Sequence, residues 1–132
     1  MKSFFKIFIA GTLLSIASCR SISEDNRLPS EDIEVLEKYS DIISILRNPK
    51  LSRNSREKYE AAKDLIRRVD LHYTRETKTV DQLFFYRDAD VDGLHTETPV
   101  FTFNYQYGDD FVRIRFFTCR MFITRVEITE NE

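Results

Sequence analysis

The chain is poor in the residues that punctuate or cross-link small proteins. Its 132 residues include three glycines, three prolines, two cysteines and no tryptophan. So little Gly and Pro excludes collagen-like and Pro/Gly-rich low-complexity classes. Two cysteines exclude a scaffold stapled by several disulfides. An excess of one charge is lacking too: 20 Lys/Arg stand against 22 Asp/Glu, a formal net charge of −2. That is not the basic footprint of a nucleic-acid binder. The apolar stretch Ile7 to Ala17 has only 11 residues, short of the ~20 that a membrane-spanning helix needs. What is present is aromatic mass, 11 Phe and 6 Tyr in a chain that is 42% hydrophobic. That composition supports a packed core, and the length supports one domain.

The N-terminus reads as an address. Lys2 and Lys6 give a positive start, the apolar stretch follows, and it ends Ile16-Ala17-Ser18-Cys19. A basic start before a short apolar core is the pattern of a secretory signal. The last four residues resemble the bacterial lipobox: an aliphatic residue, two small ones, then cysteine. The resemblance implies a signal peptide over 1–18, cleavage before Cys19, a lipid on the Cys19 thiol, and a chain held on a bacterial envelope membrane. Several acyl chains on one cysteine anchor firmly where one alone would not. Position 20 is Arg rather than Asp, which favours the outer membrane if the source is Gram-negative. Cleavage would leave 18 basic and 22 acidic residues, net −4, so no polybasic contact with the membrane surface is expected.

Residues 19–29 are polar and aperiodic, as in a tether, and a single domain is expected over 30–130. Ser30, followed by Glu31 and Asp32, reads as an N-cap. Val35, Leu36, Tyr39, Ile42, Ile43 and Leu46 then repeat at helical spacing up to Asn48-Pro49. A second helix is expected from Asn54, with Glu57 as its capping-box partner. Its buried face would hold Tyr59, Ala62, Leu65, Ile66 and Val69. Arg56, Lys58, Lys63, Arg67 and Arg68 would form a solvated basic face. Val69 to Thr74 alternates and fits either a short strand or a helix end. Val80 to Tyr86 reads as a strand.

The C-terminal part is the most regular. Phe101, Phe103, Tyr105 and Tyr107 alternate with polar residues up to Gly108-Asp109. A two-residue turn there, with Gly first, pairs Tyr105 with Val112, Phe103 with Ile114 and Phe101 with Phe116, all on one face. Asn104 with Arg113 and Thr102 with Arg115 then share the other face. A further strand is expected over Met121 to Thr129, reached through a hairpin loop or a bulge at Thr118-Cys119-Arg120. The expected class is α+β: two N-terminal amphipathic helices packed on a C-terminal antiparallel β-meander. This order is similar to nuclear-transport-factor-like cones and cystatin-like folds, a likeness of architecture that by itself assigns no activity.

Three features could carry chemistry. Asp88-Ala89-Asp90-Val91-Asp92-Gly93 has the alternating acids and sixth-position Gly of an EF-hand opening, but Pro99 stands where the bidentate Glu belongs. A looser structural calcium site would use Asp88, Asp90, Asp92, the Leu94 carbonyl and Glu97; a solvated turn is the alternative. Arg113 and Arg115 lie on the polar sheet face, suited to a small anion or a protein partner. Cys119, single once Cys19 is lipidated, reads as a small buried hydrophobe. His72 and His95 stand alone, and no coherent catalytic set is visible.

The expected role is therefore non-enzymatic: a lipid-anchored envelope protein binding another protein or envelope component, with the membrane as its second partner. The alternatives are an inhibitor or immunity-type lipoprotein presenting Asp88 to Glu97, and a cone-like small-ligand binder. Helices that seal the aromatic face favour surface binding; an open pocket there favours a ligand.

Overall fold

Alternating Phe and Tyr can bury one sheet face only if another layer covers it. The computed structural model describes residues 28–131 and supplies that layer from the N-terminal helices. The expected signal peptide over 1–18, Cys19 and most of the expected tether over 19–29 lie outside the described residues.

Helices α1 (Ser30–Lys38), α2 (Ser40–Leu46), α3 (Arg56–Arg68) and α4 (Thr77–Leu83) precede strands β1 (Ala89–Asp92), β2 (Val100–Tyr107), β3 (Asp110–Cys119) and β4 (Phe122–Glu130). The strands form one antiparallel sheet in the order β1-β2-β3-β4. The chain is thus α+β, with its helices N-terminal to its strands. Among the described residues, no helix is long and apolar enough to cross a membrane.

The β2–β3 hairpin has the register that the turn chemistry predicts: Tyr105 opposite Val112, Phe103 opposite Ile114, Phe101 opposite Phe116. Gly108 carries the positive φ, 65°, that the first central position of a type II′ turn demands. The inward residues Phe103, Tyr105, Val112, Ile114 and Phe116 are completely buried. Leu46, Ala62, Leu65, Leu71, Val80, Leu83 and Phe84 meet them from the helical side. Phe84 stacks on Phe103 with ring centroids 4.6 Å apart.

Several expectations need correction. The first helix is two helices, divided by a turn at Tyr39 (φ −111°, ψ 28°). The apolar period runs through the break, but only the second half buries residues fully, Ile43 and Leu46. Ser30 is the first helical residue rather than the cap: the Pro29 carbonyl accepts from the Asp32 and Ile33 N–H groups. The α3 cap is Ser55, one residue beyond Asn54, and its hydroxyl accepts from the Lys58 N–H at 3.2 Å. Val69 to Thr74 is neither strand nor helix end but holds a 3-10 turn, Leu71–Tyr73, capped by Asp70.

The expected strand over Val80 to Tyr86 is instead the end of α4 and the chain that leaves it. Short apolar runs do not distinguish strand from buried helix by composition. Here Val80, Leu83 and Phe84 meet the core at helical spacing, each at most 1% exposed. The Arg47 guanidinium donates to the carbonyls of Asp81 and Phe84, closing the end of α4 from outside. At the β3–β4 junction both expected solutions occur together. Arg120-Met121 forms a tight turn in which Arg120 takes φ 60°, and the register shifts between Phe117 and Thr118.

Candidate functional site

With one sheet face sealed by helices, the other carries no covering helix or strand among the described residues. The register builds it in rows across the strands. Asp90, Thr102, Arg115 and Glu127 form one row; Asp92, Val100, Phe117 and Arg125 form the next; Asn104, Arg113 and Thr129 form a third. Antiparallel alternation thus brings the acidic segment and the arginines, distant in sequence, onto one surface.

The arginines are held in place on this face. The Arg125 guanidinium lies 4.1 Å from the Phe117 ring centre, and Arg115 approaches the same ring at 5.3 Å. Arg113 sits 5.2 Å from Phe111. Glu127 lies between two of them, 3.8 Å from Arg115 and 3.3 Å from Arg125. Such exposed ion pairs contribute little to stability. Ring stacking, worth about 0.5–1 kcal/mol at exposed sites, orients each guanidinium while leaving N–H edges free for a carboxylate or phosphate. Among the described residues Arg113 has no carboxylate partner. Asn104 in the same row keeps a shielded Oδ1 without a hydrogen bond.

The acidic segment is divided between two environments. Asp88, in a 3-10 turn (Tyr86–Asp88), turns inward, and its Oδ2 accepts from Lys58 Nζ at 2.6 Å, with both side chains buried. Asp90 faces outward and pairs with Arg53 at 3.2 Å, while Arg53 also donates to the Asp88 carbonyl. Asp92 stands in strand β1. Leu94 and Glu97 follow in an exposed loop, where Glu97 pairs with Arg120 at 3.3 Å. Among the described residues, no group of three or more His, Cys, Asp or Glu is placed to hold a metal ion.

Two readings change here. Lys58 is not on a solvated basic face; it is completely buried, with Nζ 4.9 Å from the Phe85 ring centre. The signal was available in its spacing, since Lys58, Ala61, Ala62 and Leu65 form one helical stripe. Cys119 is exposed, not buried. It ends β3 beside Phe122, itself 49% exposed.

The buried Tyr105 hydroxyl has no hydrogen-bond partner among the described residues. Burial pushes its pKa upward and the Asp88 charge adds to this, with Arg53 opposing. A groove of about 510 Å³ lies away from the sheet, between α1, the 3-10 turn at Leu71–Tyr73 and α4. Asp32, Tyr39, Arg68 and Tyr73 are among its lining residues. His72 and His95 are exposed and belong to neither region.

Comparison with protein-family models, curated proteins and solved structures finds no match for this chain. The functional reading therefore rests on the geometry.

Proposed function

We propose that this chain is a lipid-anchored protein of the bacterial envelope, with Cys19 as its anchor, and that it acts by binding another envelope protein or component rather than by catalysis. The open sheet face is the contact surface, with Arg113 and Arg115 at its centre. The supporting observation is that its aromatic interior is closed. Phe84, Phe103, Tyr105 and Phe116 fill the space between helices and sheet with no exposure, so recognition falls to outward groups. The same closure weighs against a cone-like ligand cavity on the aromatic face.

The test has two arms. Metabolic labelling with palmitate should mark the wild-type chain and not Cys19→Ala; equal labelling would remove the anchor. The full-length chain used as bait in envelope extract should retain a partner that the double variant Arg113→Ala/Arg115→Ala loses, with unchanged far-UV circular dichroism. Equal capture by both would move the site elsewhere.

The inhibitor reading has its own support: Gly93 to Thr98 is exposed throughout, and Leu94 at its tip is 63% exposed. Leu94→Asp would then abolish capture while the arginine variant kept it. A structural calcium ion near this loop would have to compete with Lys58 for Asp88, Arg53 for Asp90 and Arg120 for Glu97. A thermal melt with calcium at about 1 mM, the range of extracellular calcium modules, decides it: a raised Tm establishes the site and an unchanged Tm removes it.

A further inference from the structure

The chain enters α1 close to the β3–β4 turn. Pro29 lines the same groove as Tyr73 and Arg75. Three residues on, Asp32 accepts from the Thr79 hydroxyl at 2.7 Å. Two residues before Thr79, the Thr77 N–H donates to the Met121 carbonyl at 3.0 Å. Arg75 and Glu76 hold the start of β4: the Arg75 carbonyl accepts from the Ile123 N–H, and Glu76 bridges Phe122. The loop between β1 and β2 reaches the same end of the sheet, where the Arg120 N–H donates to the Glu97 carbonyl and their side chains pair. Exposed apolar groups collect at this end. The five most exposed large apolar side chains among the described residues are Tyr73, Leu94, Met121, Phe122 and Tyr107. Only Tyr107 lies elsewhere. It stands at the hairpin end, the 10-residue length of β3 away, about 30 Å.

Apolar groups gathered on one surface mark a contact with protein or membrane. Chain length selects the membrane. Residues 19–27 span at most about 30 Å even fully extended. A lipid on Cys19 would therefore keep Pro29, and the end of the sheet beside it, within that distance of the bilayer. We propose that this end rests on the bilayer that holds Cys19, with Tyr73, Leu94, Met121 and Phe122 in its interface. The inference rests on the anchor of the proposed function and adds the orientation of the domain to it. Tyrosine suits that boundary, since its ring is apolar and its tip polar. Arg120 is already paired with Glu97, so apolar burial rather than attraction to anionic lipid holds the contact. The strands then stand on end. Gly108-Asp109 points away from the lipid, and the open face with Arg113 and Arg115 is turned sideways, clear of the membrane. Leu94 in the interface is out of reach of an incoming enzyme, so this contact and the inhibitor reading of its loop exclude each other.

The chain has no tryptophan, so a single introduced one reports its own surroundings. Full-length lipidated chains carrying Tyr73→Trp, Met121→Trp or Tyr107→Trp, in phosphatidylcholine vesicles with and without bromine on the acyl chains, test the contact. Flotation with the vesicles checks the anchor separately. In floated protein, Tyr73→Trp and Met121→Trp should emit further to the blue and lose emission to bromine, whereas Tyr107→Trp should do neither. Raised salt should leave the quenching in place, because it screens exposed charges and not apolar burial. Reporters on two separate segments keep the test intact if one variant fails to fold. Protein that floats but loses no emission, or loses as much from Tyr107→Trp as from the other two, would overturn the contact and leave the anchor. A blue shift without quenching by bromine would put a protein, such as a second copy, over this end in place of lipid. Protein that does not float would remove anchor and contact together.

Discussion

The Lys58 ammonium and the Asp88 carboxylate meet at 2.6 Å inside the protein, the lysine with no exposed surface and the aspartate with 7%. This contact fastens α3 to the turn that launches β1. It also removes the first acid of Asp88-Ala89-Asp90-Val91-Asp92-Gly93 from the surface. A buried pair gains from mutual attraction but loses the hydration of both charges.

Breaking that pair one side at a time should be costly. Asp88→Ala should lower stability by about 3–5 kcal/mol because it strands a buried ammonium. Lys58→Met/Asp88→Leu should recover most of that, since apolar replacement of a whole buried pair is often neutral. Urea unfolding of the three proteins checks it; a double variant as weak as Asp88→Ala would contradict the desolvation account.

Tyr105 makes a pH-dependent prediction. Its phenol pKa is raised in the folded protein, chiefly by burial, against about 10 in the unfolded chain. Above pH ~10 the unfolded state releases a proton that the folded state keeps, so stability falls as pH rises, by about 1.4 kcal/mol per pH unit for this group. Below pH ~10 it contributes no slope. Tyr86 is shifted in the same direction by partial burial, with Asp81 adding to it. Tyr105→Phe should therefore reduce the alkaline slope without abolishing it. The variant should also be at least as stable as wild type at pH 7, since it removes a buried hydroxyl that has no partner among the described residues. Urea midpoints from pH 7 to 11 provide the measurement.

Arg120 holds φ 60° at the β3–β4 turn. A non-glycine residue there costs about 1–2 kcal/mol. Its ion pair with Glu97 is about three-quarters exposed on both sides and offsets little of that. Arg120→Gly should raise Tm, and Arg120→Val, with a branched Cβ, should lower it. A thermal melt that ranks Gly below Val would show that the turn is not strained.

Phe84 packs against Phe103, Tyr105 and Phe116, with ring centroids 4.6, 6.4 and 5.9 Å away. Phe84→Ala should cost about 3–5 kcal/mol. Tyr86→Ala, two residues on at a ring 38% exposed, should cost much less. Comparable losses would mean that the aromatic layer is not the core.

The C-terminal hairpin was legible because period-two alternation and a Gly-first turn each fix the register, and both gave the same one. The helix over Thr77–Leu83 was not legible. Leu83, Phe84, Phe85 and Tyr86 form an apolar run that fits strand or helix, and only packing into the core, as of Phe84 on Phe103, selects between them. Arg113 and Arg115 were legible as outward residues. Their stacking on Phe111 and Phe117, and the arrival of Asp90 on the same face, depend on neighbouring strands and were not.

Local chemistry alone set two things: the helical period of the N-terminal half, and the in-and-out pattern of β2 and β3. These depend on spacing within one segment. Tertiary structure decided which charges are surface and which are core. Lys58 looks like its basic neighbours on α3, and Asp88 looks like Asp90 and Asp92. Each is buried because the other stands within hydrogen-bond reach, and a charge leaves water only where a partner from a distant segment compensates its lost hydration.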